Sequence, residues 1–262
     1  MVAEILCVGT ELLLGNICNT NAQYLAKKLA HLGIDVYYQT VVGDNRQRLR
    51  SALEIAFTRA DLVVMCGGLG PTKDDLTKEV AAEYFGKTLV KDQKAYHWIE
   101  EKIGQLHIAM TDSIAKQAYL PTGCIPLYND VGTAPGCIIE RNRKTIVLLP
   151  GPPSEMQPMF ELCCHQYLNS RSNRVFVSVN LKLKSMQEAP PEIVGEAPVA
   201  DSISALLDLT NPTVATYAKD DGTLIRITAS ADNREQGMRL IIPIEQELTR
   251  RYSGYIKQRY EE

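Results

Sequence analysis

The sequence predicts an α/β fold, a three-layer domain on a parallel sheet over residues 1–170, followed by a small α+β module over 174–262. Three observations predict it. Short apolar, β-branched runs alternate with helical stretches through the first 85 residues, the pattern of βαβ units. These runs end in loops rich in glycine, threonine and acidic residues. A polar break at 169–173, Asn-Ser-Arg-Ser-Asn, then separates this pattern from one of paired strands and a hairpin.

Ala3–Val8 reads as the first buried strand, because its apolar residues show no helical spacing. It ends in Gly9-Thr10-Glu11-Leu12-Leu13-Leu14-Gly15. After Asn19-Thr20-Asn21, apolar residues at 25, 26, 29, 30 and 32 predict a helix over Ala22–Leu32, stopped by Gly33. Val36–Val42 is the second strand and ends in Gly43-Asp44-Asn45. Residues 46–59 are helical through Leu49, Ala52, Leu53 and Ala56, and 61–66 is the third strand. Gly67, Gly68, Gly70 and Pro71 follow it, then Thr72, Lys73, Asp74, Asp75 and Thr77, then a helix over Lys78–Phe85. Right-handed crossovers bring the carboxyl ends of parallel strands to one rim, where such sheets bind ligands. Thr10, Glu11, Asp44 and the 67–77 loop are therefore expected on one rim.

Residues 92–118, which contain Trp98, read as two helices or one interrupted helix covering the rim. Val131-Gly132-Thr133-Ala134-Pro135-Gly136 is a second glycine loop, followed by a strand over Cys137–Glu140. Asn142 and Arg143 turn the chain into a strand over Lys144–Leu149. Pro150-Gly151-Pro152-Pro153-Ser154-Glu155-Met156 then opens a helix over 154–168, where early prolines are tolerated. Ser154 and Glu155 either cap that helix or meet a ligand. Beyond the break come a strand at 174–184, a helix at 199–209, strands at 213–219 and 223–231 joined by Asp220-Asp221-Gly222, a helix at 234–252 and a strand near 254–257. Lys219 and Arg226 mark this module's one polar feature, which reads as a solvated face.

Composition narrows the classes. The 262 residues are 45% hydrophobic and 23% charged with a net charge of −3, an ordinary globular balance. Mild acidity argues against nucleic-acid partners, and no apolar run approaches the ~20 residues that cross a membrane. Met1–Val8 lacks a basic region, so no signal peptide is expected and a cytoplasmic location is. The seven scattered cysteines fit reduced thiols and lack the C-x-x-C spacing of a zinc site. Histidines 31, 97, 107 and 165 fall in helical stretches, so histidine chemistry is not expected.

The glycine loop at 67–77 carries the chemistry. Glycines let backbone N–H groups approach a phosphate, and a following helix N-terminus favours negative charge. No G-x-G-x-x-G or G-K-S/T is present, so this is neither a dinucleotide fingerprint nor a Walker loop. Asp74 and Asp75 would repel a phosphate unless a hard cation lay between them. The alternative is that Thr72 or Asp74 simply caps the helix.

Taken together, the motifs around residues 9–21, 43–44, 67–77, 132–136 and 149–156 resemble the CinA (competence/damage-inducible protein) family. The resemblance covers residues 1–168 and implies a molybdopterin-binding-like fold, followed by a KH-like module. It implies metal-dependent cleavage of the pyrophosphate bond of ADP-ribose or a related nucleotide, with Mg²⁺, Mn²⁺ or Co²⁺ as cofactor. The alternative activity is nucleotide or molybdopterin binding without cleavage. By matched position it assigns Asp44 and Asp75 as functional carboxylates, expected near the metal with Asp74 as a third ligand or an outer partner; Glu11, which follows a strand end on the same rim, is the candidate general base. Substrate contacts fall on Thr10, Asn21, Gly67, Gly68, Gly70, Thr72, Lys73, Thr77, Gly132, Gly136, Gly151, Pro152 and Ser154. A homo-oligomer, dimer or trimer, is also implied. Many family members continue into a nicotinamide-mononucleotide deamidase domain; this chain stops at Glu262, so no deamidase activity is expected of it. The family's Gly-Ile-Gly-Glu-Ser element survives here as Val194-Gly195-Glu196-Ala197, and the KH-like module lacks a Gly-x-x-Gly clamp, so 174–262 is expected to pack or dimerise rather than bind nucleic acid.

Overall fold

A computed structural model describes residues 1–171 and 174–261, so Ser172 and Asn173 of the polar break lie outside the described residues. The chain forms two compact units that part at 172 and 173, with 31–33 counted in the second.

The first unit opens with β1 (Val2–Val8), α1 (Thr10–Leu13), α2 (Thr20–His31), β2 (Asp35–Val42), α3 (Arg46–Arg59), β3 (Leu62–Cys66) and α4 (Thr77–Tyr84). It continues through β4 (Leu89–Lys91), α5 (Gln93–Gln105), α6 (Asp112–Ala115), β5 (Tyr119–Pro121) and β6 (Ile125–Leu127). β7 (Gly136–Arg141), β8 (Lys144–Leu149), α7 (Pro153–Met159) and α8 (His165–Asn169) complete it. Six strands form one sheet in the order β2-β1-β3-β8-β7-β6. The first four are parallel, as expected. The sheet as a whole is mixed, because Asn142 and Arg143 take positive φ (52° and 64°) in a two-residue turn, so β7 pairs antiparallel with β8. β7 therefore begins on the rim where the parallel strands end, which brings the 131–135 loop to that rim.

Every residue of β3 is buried, consistent with a strand covered on both faces. On one face, Leu49, Leu53 and Ala56 of α3 and Val80, Ala81 and Phe85 pack with Leu6, Met65 and Leu148. Phe57 stacks on Tyr84 at 5.2 Å between ring centroids.

Three regions depart in part from expectation. Residues 92–118 form two helices as expected, α5 and α6, followed by a 3-10 turn at Lys116–Ala118, but they also build an apolar cluster of their own from Ala95, Ile99, Ile103 and Ala118. His107 lies past the end of α5, at φ 56°. β4 pairs with β5 in a two-stranded ribbon too short to carry a strand pattern. The helix expected over 154–168 is divided: Pro158 removes an N–H from α7, and the chain passes through a π turn at Phe160–Cys164 before α8.

The second unit contains β9 (Val175–Leu183), α9 (Pro191–Val194), α10 (Glu196–Ser202), α11 (Ser204–Leu207), β10 (Thr213–Lys219), β11 (Gly222–Ala231), α12 (Arg234–Arg251) and β12 (Ile256–Glu261). Its strands form an antiparallel sheet in the order β10-β11-β9-β12. α12 lies close against this sheet at Gly237, where a Cβ would stand 2.8 Å from Val177. The helix expected at 199–209 is split at Ile203. Arg226 donates to Asn180 across β11 and β9 at 2.9 Å and lies over the Tyr217 ring, which makes it part of the sheet. Among the described residues no helix is long and apolar enough to cross a membrane.

Candidate functional site

The carboxyl ends of β1, β2, β3 and β8 surround a cleft of about 590 Å³. The turn after β3 requires glycine: Gly67 and Gly68 have φ of 105° and 69°, and a Cβ on either would fall 2.2 Å from Val8 O or from Thr77 Oγ1. The turn leaves the N–H groups of Gly68, Leu69 and Gly70 without a protein hydrogen bond among the described residues. Three successive uncommitted amides among cleft-lining residues are donors available to an anion. The Gly67 N–H is not among them, since it donates to Leu149 O at 3.0 Å.

Acidic groups stand around these donors. Glu11, Asp44, Asp74, Asp75 and Glu155 all line the cleft. Asp44 Oδ2 accepts from both the N–H and the hydroxyl of Thr10, each at 2.8 Å, which ties the loops after β1 and β2. Asp75 Oδ2 accepts from Thr72 N at 2.9 Å, and its carboxylate lies over Gly70, where a Cβ would stand 2.6 Å away. Lys116 clamps the same loop by donating to the carbonyls of Thr72 and Asp75. The Thr72 hydroxyl lies 2.5 Å from both Asp74 Oδ1 and Asp75 Oδ2. A hydroxyl carries one proton, so one carboxylate accepts it and the other faces oxygen lone pairs. A bound cation would relieve that repulsion. The Thr72 contact, then a backbone hydrogen bond, holds Asp74 below its usual carboxylate range against a small opposing effect of burial.

Hard oxygen donors of this kind fit Mg²⁺ or Mn²⁺. No group of three or more His, Cys, Asp or Glu side chains is gathered as a metal site among the described residues. A partial set still fits Mg²⁺, which is commonly held by one or two carboxylates plus water and substrate phosphates.

On the floor, Asn21 donates to Gly151 O at 2.7 Å and to Cys66 Sγ at 3.0 Å, and its buried Oδ1 has no partner among the described residues. The Cys66 thiol donates to Pro150 O at 3.1 Å. Burial, with Cys7 alongside, pushes that thiol far above its usual range, so it is not a nucleophile.

Several expected contacts lie elsewhere. Thr77 is fully buried beneath Gly68, its N–H donating to Gly68 O at 3.1 Å. The Thr72 hydroxyl is taken by the two aspartates. The Gly132 N–H donates to Asn129 Oδ1 at 2.7 Å. Gly136 opens β7 against the Leu148 carbonyl, while Lys73 and Ser154 are exposed and do not line the cleft. Gly151 and Pro152 do line it, and Thr10 reaches it through Asp44.

Sequence reasoning missed Gln117, Asn129 and Lys78. Gln117 is buried and accepts from the Thr133 hydroxyl at 2.9 Å. Lys78, 3% exposed, donates to the Gln117 carbonyl. Burial depresses the Lys78 ammonium to about 8, Cys137 and Glu79 opposing only weakly. An unfolded lysine titrates near 10.4, so between about 8 and 10.4 the unfolded chain holds the extra proton and stability rises with pH. Lys78 therefore lowers stability at neutral pH. Urea unfolding is expected to show a gain on the order of 3 kcal/mol across that window that Lys78→Met lacks. Parallel profiles for the two proteins would refute the assignment.

Comparisons with known proteins agree with this architecture. Residues 4–170 match the family described as "Probable molybdopterin binding domain", and residues 194–256 match "Damage-inducible protein CinA KH domain". A "Putative competence-damage inducible protein" of Clostridium botulinum (strain Loch Maree / Type A3) is 51% identical over 249 residues, covering 95% of this chain and 59% of the relative. One from Clostridium novyi (strain NT) is 53% identical over 249 residues, covering 95% and 58%. The chain thus spans about three-fifths of the length of these curated relatives. The crystal structure of a protein CinA of unknown function from Thermoplasma acidophilum is similar at a TM-score of 0.59 and 37% identity, covering 64% of this chain and 97% of that one.

Proposed function

Because the chain belongs to the CinA family, we propose that its cleft hydrolyses the pyrophosphate bond of ADP-ribose or a related nucleoside diphosphate derivative with the help of a divalent cation. One observation carries the reading: Asp74 and Asp75 crowd a single hydroxyl beside the uncommitted amides of Gly68, Leu69 and Gly70. Anion donors and cation ligands next to each other suit a substrate that brings its own phosphates.

The amides donate to phosphate oxygens and keep that geometry before the reaction, as preorganised donors do. Asp74 and Asp75, paired about the Thr72 hydroxyl, are the groups that would hold Mg²⁺, Mn²⁺ or Co²⁺ together with water and substrate phosphates; Asp44, expected as a ligand too, lines the same cleft but is not gathered with them into a three-carboxylate set. Such an ion, when bound, neutralises phosphate charge and lowers the pKa of water. Glu11 and Glu155 supply carboxylates able to accept a water proton. Asn21 offers its unpartnered Oδ1 to a donor on the ligand.

A second reading has its own support. Asp44 and Asp75 spend hydrogen bonds on Thr10 and Thr72 of the rim itself, which suits a scaffold that holds a nucleotide or pterin without cleaving it. Turnover separates the two. Incubation with ADP-ribose and Mg²⁺, Mn²⁺ or Co²⁺ is expected to release AMP and ribose 5-phosphate, and a chelator to stop it. Tight nucleotide binding with no release under any metal would establish the second reading.

A further inference from the structure

We propose that Glu155 takes the proton from the attacking water, an inference that rests on the hydrolase reading of the same cleft. The support comes from Asn129, a 3% exposed asparagine outside any helix or strand. Its side-chain oxygen accepts from the N–H groups of Val131 at 3.1 Å and Gly132 at 2.7 Å. Its side-chain nitrogen donates to Ala134 O at 3.0 Å and to Glu155 Oε2 at 2.7 Å. Both donors and both acceptor positions of the amide are in use. Glu155 is therefore oriented by a group that cannot turn without breaking three other hydrogen bonds.

The loop beneath the carboxylate is fixed as well. Trp98 Nε1 donates to Gly132 O at 3.0 Å, and the Thr133 hydroxyl donates to Gln117 at 2.9 Å. Gly132 leaves the space that Glu155 fills: a Cβ there would stand 2.1 Å from Oε2 and 2.7 Å from Oε1. Glu155 Oε1 makes no hydrogen bond among the described residues, and the side chain lines the cleft. Glu11 lines the cleft too, but it is exposed on the four-residue α1 and its carboxylate has no hydrogen-bond partner among the described residues. A general base acts from a held position, and of these two glutamates Glu155 is the held one.

In the step, the water oxygen bonds to one phosphorus of the pyrophosphate. The bridging P–O bond breaks with its electron pair kept by the leaving phosphate oxygen, and the water proton passes to Glu155 Oε1 and then to solvent. Two phosphate monoesters result, with no change in oxidation state.

Glu155→Gln tests this, because glutamine keeps an oxygen for Asn129 and loses the base. Its kcat on ADP-ribose is expected to fall about a hundredfold, the scale of general base catalysis, while KM and AMP affinity stay within about threefold. Glu155→Ala is expected to regain part of its lost activity when formate is added to the buffer. A Glu155→Gln enzyme within about threefold of wild-type kcat would overturn the role. So would a loss in which KM rises in parallel and formate restores nothing, leaving Glu155 as a support of the loop. A wild-type protein that binds AMP but releases no product from ADP-ribose overturns the hydrolase reading itself, and this inference with it.

Discussion

Asp75→Asn is expected to lower metal-dependent release of AMP from ADP-ribose by about a thousandfold, the upper range for loss of one preorganised electrostatic group. Asparagine matches aspartate in shape and still presents an oxygen to the Thr72 N–H, which lies 2.9 Å from Asp75 Oδ2. The loop should therefore keep its course, with Lys116 still donating to the carbonyls of Thr72 and Asp75. What disappears is one of the two negative charges around the Thr72 hydroxyl, and with it the reason for a cation to sit there. Asp75 lies at the rim and contributes no apolar burial, so the melting temperature should move by no more than about 2 °C. The measurement is kcat with metal varied, beside a thermal melt. Turnover within a factor of a few of wild type would remove Asp75 from the metal site. A large fall in melting temperature would instead make it a structural support of the glycine turn.

The rim was legible in the sequence because its signals are local. Gly67, Gly68 and Gly70 follow a β-branched run directly, and Asp44 follows β2 by two residues, so chain order alone brings them to the strand ends. What each group does there was not legible. Whether a glycine N–H is free depends on the neighbouring strand: Gly67 spends its own on Leu149, more than eighty residues away in sequence. Thr77 reads as a phosphate ligand beside the glycines, yet the positive φ at Gly68 folds the turn over it. Asn129 and Glu155 are 26 residues apart, and nothing in either local pattern announces the pair. Residues 92–118 were legible as helices at the rim, where Gln117 lines the cleft, but not as a packed cluster. Their mixed polarity resembles a surface cover, but the apolar positions Ala95, Ile99 and Ile103 recur every four residues and close on Ala118.

Glu4 shows the same limit, and replacing its partner is expected to have the largest effect on stability. It is a glutamate in the middle of β1, 1% exposed, with strands paired on both sides. Arg59, the last residue of α3, donates to it through Nε and Nη2 at 2.8 Å each, and the Thr40 hydroxyl donates at 2.6 Å. Arg59 also lies over the Tyr38 ring at 3.7 Å. Burial pushes the Glu4 carboxyl up, but the Arg59 and Thr40 hydrogen bonds outweigh it and hold the group below its usual range. A depressed carboxyl stabilises the fold above its unfolded value, about 4.3, and that contribution is lost as pH falls through the lower folded value. In Arg59→Ala the burial is opposed only by Thr40. The cost of leaving a buried charge unpaired is about 3–5 kcal/mol, or roughly 6–20 °C in melting temperature for a domain of this size. The pH dependence should also reverse: with its carboxyl raised, Glu4 takes up a proton on folding, and the variant should gain stability as pH falls from 7 toward 5. Adding Glu4→Gln to Arg59→Ala removes the charge and should recover much of the loss at pH 7. If it recovers nothing, the penalty comes from packing lost over Tyr38, and the pair holds α3 to the sheet by contact rather than by charge.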